Sequence, residues 1–331
     1  MGGRDNDNHT ESQLPQVLVL RQPGCWTVLE SNYSHKFNFL KAWDFPLPQD
    51  QFLAGHAGSV QALLSSSIGP RITANILRML PSLKVIVTTS AGLDHVDLPK
   101  CRERGVVVAS APKVHTQDVA DLAVGLFLDV MRKISAGDRY VKDRLWASRG
   151  EFSLASKIGG KRVGIVGLGN IGLEVAKRLE AFGCSILYNS RKEKPFVPYP
   201  FYSNICELAL NSDALIICCA LTAETHHMIN NKVLLALGRD GIIVNVGRGA
   251  IIDEKEMVQR LVKGEIGGAG LDVFENEPQV PNELFPLDNV VLSPHNGPCT
   301  PEYFMDLCEL VAGNLAAFFS NRPLISPALD N

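Results

Sequence analysis

Short apolar runs alternate with amphipathic stretches along most of this chain. "QVLVLRQ" (16–22), "SVQALLSSS" (59–67), "LKVIVTTSAG" (83–92) and "GVVVASAP" (105–112) read as strands, and "RITANILRML" (71–80) as a helix between two of them. An amphipathic stretch from Phe37 to Trp43 lies between the first two runs. Alternation of this kind predicts an α/β fold with a parallel sheet. The first module resembles a flavodoxin-like unit of roughly one hundred residues, an ordinary domain size.

The pattern then changes. In "TQDVADLAVGLFLDVMRKISAGDRYVKDR" (116–144) Ala120, Val124, Phe127, Leu128 and Met131 recur at steps of three and four, which predicts a long helix with one core-facing side. A second strand–helix series follows. "KRVGIVGLGNIGLEVAKRLEAFGCSILYNSRK" (161–192) reads as strand, turn, helix, strand, and "DALIICCA" (213–220) as a buried strand. "NKVLLALGRDG" (231–241) reads as a helix ended by Gly241, before the strand "IIVNVGRG", a helix from Asp253 to Lys263, and the strands in "GAGLDVF" and "NVVLSPH". The last helix starts at "TPEY", with Thr300 as N-cap and Pro301 in its first turn. If it packs back on the first module, that domain is discontinuous. The expected division is a substrate-binding domain of residues 15–111 and 298–331, a dinucleotide-binding domain of 112–297, and a disordered tail of 1–14.

Composition narrows the function. With 32 basic and 35 acidic residues among 331, the net charge of −3 gives no global field for nucleic acid or membrane, so any basic site is local. The eight cysteines form no CxxC pair, which argues against disulfides and a zinc site and for a reducing compartment; Cys218 and Cys219 read as small buried hydrophobes. No metal is expected. No apolar block resembles a signal peptide or a membrane span, and Asn6 stands where an N-myristoylation signal has Ser or Thr. The expected compartment is the cytosol.

Gly167, Gly169 and Gly172 form GxGxxG between a strand and a helix. In that setting the first permits a tight turn, the second lets backbone approach a pyrophosphate, and the third lets helix pack on strand. The helix N-terminus supplies N–H groups and a positive dipole end to the phosphates. About twenty residues beyond, where NAD-binding domains place an acid for the ribose 2′-hydroxyl, this chain has Asn189, Ser190, Arg191 and Lys192. A carboxylate there repels a 2′-phosphate, whereas guanidinium, ammonium and hydroxyl groups bind it. The pattern predicts NADPH/NADP+, with NADH weaker; the bland alternative is a solvated charged loop.

Three polar residues fall just past predicted strands: Arg248 in "NVGRG", Glu277 in "FENEP" and His295 in "SPHNG". Ligands of open α/β sheets bind beyond the carboxyl ends of strands. Reduction of a 2-keto acid needs a cation for the carboxylate and carbonyl, which suits Arg248, and a proton donor, which suits His295 held as imidazolium by Glu277. Taken singly, a sheet-end salt bridge, a surface acid and a structural histidine explain them as well.

Together, "VGIVGLGNIG", "NVGRGAIID", "GAGLDVFENEP" and "LSPHNG" resemble the D-2-hydroxyacid dehydrogenase family, and so do "VTTSAGLDHVDL" and "DVADLAVGLFL" in the first half. The chain is most similar to the plant-type glyoxylate/hydroxypyruvate reductases and hydroxyphenylpyruvate reductases, which are NADPH-preferring, homodimeric and cytosolic. The resemblance implies two Rossmann-like domains with the active site in their cleft. Arg248 would anchor the substrate, His295 would donate the proton, and Glu277 would pair with it. Asp272 would hold the nicotinamide carboxamide, and Gly169, Asn170 and Ile171 would face the pyrophosphate. Thr222, Thr225, Val246, Gly247 and Gly297, with Arg248 and His295, complete the implied cofactor contacts. Ser66, Ala91 and Gly92 would bind substrate, with Ser67 near. The helix from Thr116 would cross between domains, and Trp146 would lie in a dimer interface.

Three departures stand out: Ala220 for the usual proline before Leu-Thr, Asp121 for a glutamate, and Pro298 for the serine after Gly297. None removes a catalytic group. A nucleotide-sensing co-repressor of the same fold is the competing expectation, opposed by the basic loop. Formate dehydrogenase is a further one, opposed by Glu277 where that enzyme has glutamine.

Overall fold

The computed structural model describes residues 14–328, so the expected tail and the N-terminal Met-Gly lie outside the described residues apart from Leu14. Two compact units divide the chain: one runs to Pro112 and resumes at Phe304, the other is Lys113–Tyr303.

In the first unit the order is β1 (Gln16–Val19), α1 (Trp26–Tyr33), β2 (Asn38–Lys41), α2 (Gln49–His56), β3 (Ala62–Ser65), α3 (Ala74–Met79), β4 (Val85–Thr88), α4 (Leu98–Glu103) and β5 (Val107–Ala109). All pairs are parallel in the order β2-β1-β3-β4-β5, with Leu18 beside Leu63 and Leu63 beside Ile86. That is the flavodoxin-like order. Leu18, Leu63, Ile86, Phe52 and Leu77 pack into its core. The Phe37–Trp43 stretch resolves into β2 and a 3-10 turn at Ala42–Asp44. The returning C-terminal segment is tied to this unit: Ser110 N–H donates to Ser326 O at 3.0 Å, and Ala328 N–H to Val108 O at 2.8 Å.

The second unit begins with α5 (Thr116–Arg132), α6 (Ile134–Lys142) and α7 (Leu145–Arg149). The expected single long helix is therefore broken. Lys133 takes left-handed dihedrals (φ 54°, ψ 42°), and Asp129 then caps the new start by accepting Ser135 N–H at 2.7 Å. The five periodic residues hold their side: Ala120, Val124, Phe127 and Met131 are buried and Leu128 packs against the same core.

Next come β6 (Arg162–Val166), α8 (Asn170–Ala181), β7 (Ser185–Asn189), α9 (Ile205–Leu210), β8 (Ala214–Ile217), α10 (Asn231–Leu237), β9 (Ile242–Asn245), α11 (Glu254–Lys263), β10 (Gly268–Leu271) and β11 (Val290–Leu292). The sheet is parallel throughout, in the order β11-β10-β9-β8-β6-β7. Phe201 adds a parallel bridge to Tyr188 on β7. With that bridge the order becomes that of a Rossmann sheet, whose switch point lies between β6 and β8. Helix α10 ends at Gly238, three residues before Gly241, because Gly238 takes the positive φ (81°) that closes it. Cys218 and Cys219 lie just past β8 and are half-buried rather than strand-core residues. Asp253 caps α11, accepting Glu256 N–H at 3.2 Å. Thr300 Oγ1 accepts Tyr303 N–H at 3.1 Å, the expected N-cap of α12 (Pro301–Phe319).

Candidate active site

The glycine turn directly follows β6. Gly167 has φ 94°, a left-handed backbone, and a Cβ there would lie 2.6 Å from the Cys219 Cα. A Cβ on Gly172 would come within 2.4 Å of the Gly167 carbonyl oxygen, so only glycine lets α8 close on the turn. A Cβ on Gly169 would meet nothing within 4 Å. Its open side lies at the start of α8, beside Asn170 and Ile171, where first-turn N–H groups and the positive dipole end gather. This cradle fits a dinucleotide pyrophosphate.

Strand β7 delivers the basic loop. Asn189 belongs to the fold: its carbonyl accepts Gly167 N–H at 2.9 Å, and its amide donates to Tyr202 O at 2.8 Å. Ser190 Oγ donates to Lys192 O at 2.5 Å, closing a tight turn that leaves Arg191 and Lys192 exposed. The loop after β8 folds on its own threonines: Thr225 Oγ1 accepts Thr222 N–H at 2.7 Å and donates to Ala220 O at 2.8 Å. Thr222 Oγ1 donates to Glu224 at 2.7 Å. The Glu224 carboxyl is held below its ordinary value by the Thr222 bond, its own backbone N–H and the Arg191 charge. No motif in the sequence places Glu224 near the basic loop, because the two follow different strands.

Arg248 follows β9 and is positioned by the buried Asn245. The Asn245 amide donates to Arg248 O at 2.9 Å while its Oδ1 accepts Gly247 N–H at 3.0 Å. Val246 is buried, and its N–H donates to Ile217 O at 3.2 Å. Gly249 is packed so tightly that a Cβ would fall 1.9 Å from the Phe274 carbonyl carbon. The Arg248 turn thus rests directly on the backbone of the loop that carries Glu277.

Glu277 and His295 meet as expected: His295 Nδ1 lies 2.7 Å from Glu277 Oε2. The other carboxylate oxygen accepts Phe274 N–H at 3.1 Å. Burial alone would raise the Glu277 carboxyl, but the His295 hydrogen bond and charge, the Phe274 N–H and the Arg248 charge outweigh it and leave it lowered. His295 itself sits at φ 52°, an unfavourable region for a non-glycine residue by roughly 1–2 kcal/mol. Asp272 holds it there. Its carbonyl accepts His295 N–H at 2.8 Å. Its buried carboxylate accepts Ser293 Oγ at 2.6 Å, Asn296 N–H at 2.7 Å and Gly297 N–H at 2.9 Å. A carboxylate offers about four acceptor positions, so three are occupied by the His295 loop.

His115, just before α5, was not singled out in the sequence. Burial and then the nearby Arg248 charge push its imidazole below the ordinary value, only partly offset by Asp118. In the first unit, Ser66 is buried after β3 and its carbonyl accepts Gly69 N–H at 3.0 Å. Ala91 and Gly92 are half-buried after β4, where Ser90 Oγ accepts Ser67 N–H at 2.9 Å.

The ends of the Rossmann strands thus bring a carboxylate–imidazole pair near an arginine. Residues 124–297 match the family described as D-isomer specific 2-hydroxyacid dehydrogenase, NAD binding domain, and the chain belongs to that family. It is 52% identical to glyoxylate/hydroxypyruvate reductase HPR3 of Arabidopsis thaliana, over 96% of this chain and 98% of that protein. It is 49% identical to hydroxyphenylpyruvate reductase of Plectranthus scutellarioides, over 96% and 100%. Among solved structures, the NADPH-dependent glyoxylate/hydroxypyruvate reductase of Sinorhizobium meliloti in complex with NADP and malonate superposes with a TM-score of 0.88 at 33% identity, covering 96% of this chain and 97% of that one.

Proposed function

We propose that this protein reduces a small 2-keto acid, glyoxylate or hydroxypyruvate, to the D-2-hydroxy acid with NADPH as cofactor. The observation that carries the reading is the 2.7 Å contact of His295 Nδ1 with Glu277, on a loop packed against the Arg248 turn. With Nδ1 engaged by the carboxylate, Nε2 is the atom left to give a proton to the nascent alkoxide. Arg248 binds and polarises the substrate, and its positive charge stabilises the oxygen as negative charge develops. Bound NADPH supplies the hydride.

Gly167, Gly169, Asn170, Ile171 and Gly172 hold the pyrophosphate in this reading, and Ser190, Arg191 and Lys192 the 2′-phosphate. Thr222, Thr225, Val246, Gly247 and Gly297 line the remaining cofactor contacts. Asp272 contributes chiefly by fixing the His295 loop, with one acceptor position left for the carboxamide. Ser66, Ala91 and Gly92 retain their implied role in binding substrate. Hydroxyphenylpyruvate is the second substrate, supported by the 49% identity to a reductase of that name.

The protein acts as a homodimer in the cytosol. The apolar side chains exposed on the arm around α6 and α7 support the first point, with Trp146 65% and Leu154 94% exposed. Among the described residues no helix is long and apolar enough to cross a membrane. The reading is tested by His295→Ala, which should abolish turnover and leave NADPH affinity nearly intact, since a proton donor acts only in the chemical step. Retained turnover would remove His295 from the mechanism.

A further inference from the structure

We propose that His226, His227 and Glu275 form a binding site for one divalent transition-metal ion of the zinc, nickel or copper class. Glu275 stands two residues before Glu277 on the same loop, but none of the three takes part in the chemistry described above. One ligand atom from each lies within 4.8 Å of the other two. His227 Nε2 already faces Glu275 Oε1 at 2.9 Å.

The backbone explains how adjacent histidines come to share a site. Consecutive side chains on extended backbone point to opposite faces. His227 instead takes φ 50°, and its N–H is anchored on Ala250 O at 2.9 Å. The two rings consequently stack with centroids 4.0 Å apart and planes 26° from parallel. A left-handed backbone is unfavourable for histidine, and the anchored loop holds His227 in the geometry that gathers two imidazoles beside a carboxylate.

The charge balance also suits a cation. Glu275 N–H donates to Glu254 at 3.0 Å, and the Glu254 carboxyl is pushed up by burial and by the charges of Glu275 and Glu277. Glu254 at the head of α11 and Glu277 thus lie near Glu275, and an ion beside Glu275 relieves the repulsion among the three carboxylates. Two imidazole nitrogens and one carboxylate oxygen suit zinc-class ions rather than calcium or magnesium, which prefer all-oxygen shells. Such a set leaves a fourth tetrahedral position for water. Closing the atoms to ligand distances of about 2.0–2.2 Å requires rotation of the exposed His226, which is unconstrained by burial. The bound ion would clamp the loop after β8, which carries Thr222 and Thr225, to the loop that carries Glu277.

The test is calorimetric titration of chelator-treated full-length protein with Zn2+ alone, beside His226→Ala, His226→Asn, Cys299→Ser and His295→Ala. The expected result is saturable binding of one ion per chain, weakened about tenfold or more by either His226 substitution and unchanged by the other two. Thermal melting should show a Zn2+-dependent rise in Tm in the unsubstituted protein and in Cys299→Ser, absent in both His226 variants. Either no saturable binding, or binding lost in Cys299→Ser or His295→Ala and kept in the His226 variants, would overturn the site. Both readouts are independent of turnover, so the result stands apart from the reductase reading.

Discussion

At the scale of single residues, the acid–imidazole pair sets a definite pH behaviour. Glu277 is lowered in the folded protein, so the stability it contributes is present above its unfolded value and is lost as pH falls through the lowered folded value. Urea melts should therefore show Glu277→Gln less stable than the unsubstituted protein at neutral pH, with the difference vanishing in acid. A difference that persisted below the carboxylate range would assign it to packing. The same substitution should lower kcat by about 100-fold or more with little change in cofactor affinity. Arg191 makes a second prediction. Arg191→Ala should weaken NADPH binding by about tenfold or more and leave NADH binding nearly unchanged, as read by fluorescence titration; equal losses would detach the loop from the 2′-phosphate. Arg248, Glu277 and His295 were legible in the sequence because each stands in a short motif at a strand end. The work of Asp272 was not, because its donors at Ser293, Asn296 and Gly297 converge only once the loop has folded. Nor was the closeness of Glu224 to Arg191, which depends on two loops after different strands.

At the scale of elements, the close approach of turns carries the site. A Cβ at Gly249 would overlap the Phe274–Glu275 backbone, so Gly249→Ala must part the Arg248 turn from the Glu277 loop. It should destabilise by about 1–3 kcal/mol, the usual range for overpacking, and reduce turnover far more than NADPH affinity. Paired denaturation and kinetic measurements check this, and unchanged activity would show that the two loops function independently. Strands β3, β4, β6, β8 and β9 were readable because each is an apolar run between turn residues, and the helix start at Thr300-Pro301 because its cap is local. Helices α1 and α2 have too weak a pattern to be read from sequence: WTVLESNY and QDQFLAGH are short, and each buries only two residues. The break at Lys133 carries no glycine or proline to announce it. At Gly238 and Gly241 two stop signals lay three residues apart, and the backbone took the first.

At the scale of the whole molecule, two parallel sheets lie in separate compact units of a member of the D-2-hydroxyacid dehydrogenase family. The parallel α/β architecture was legible in the alternation of apolar runs, whereas the strand orders were not, and the Phe201 bridge that completes the second is a single residue without a strand pattern. Assembly is a prediction at this scale. Trp146→Glu should convert a dimer to a monomer in sedimentation equilibrium at micromolar concentration; a persistent dimer would move the interface off the arm. The most direct measurement of the central claim is steady-state oxidation of NADPH by the purified protein with glyoxylate, hydroxypyruvate and 4-hydroxyphenylpyruvate, repeated with NADH. The expected result is turnover on glyoxylate or hydroxypyruvate with a higher kcat/KM for NADPH than for NADH. Tight nucleotide binding without turnover on any of the three would contradict it.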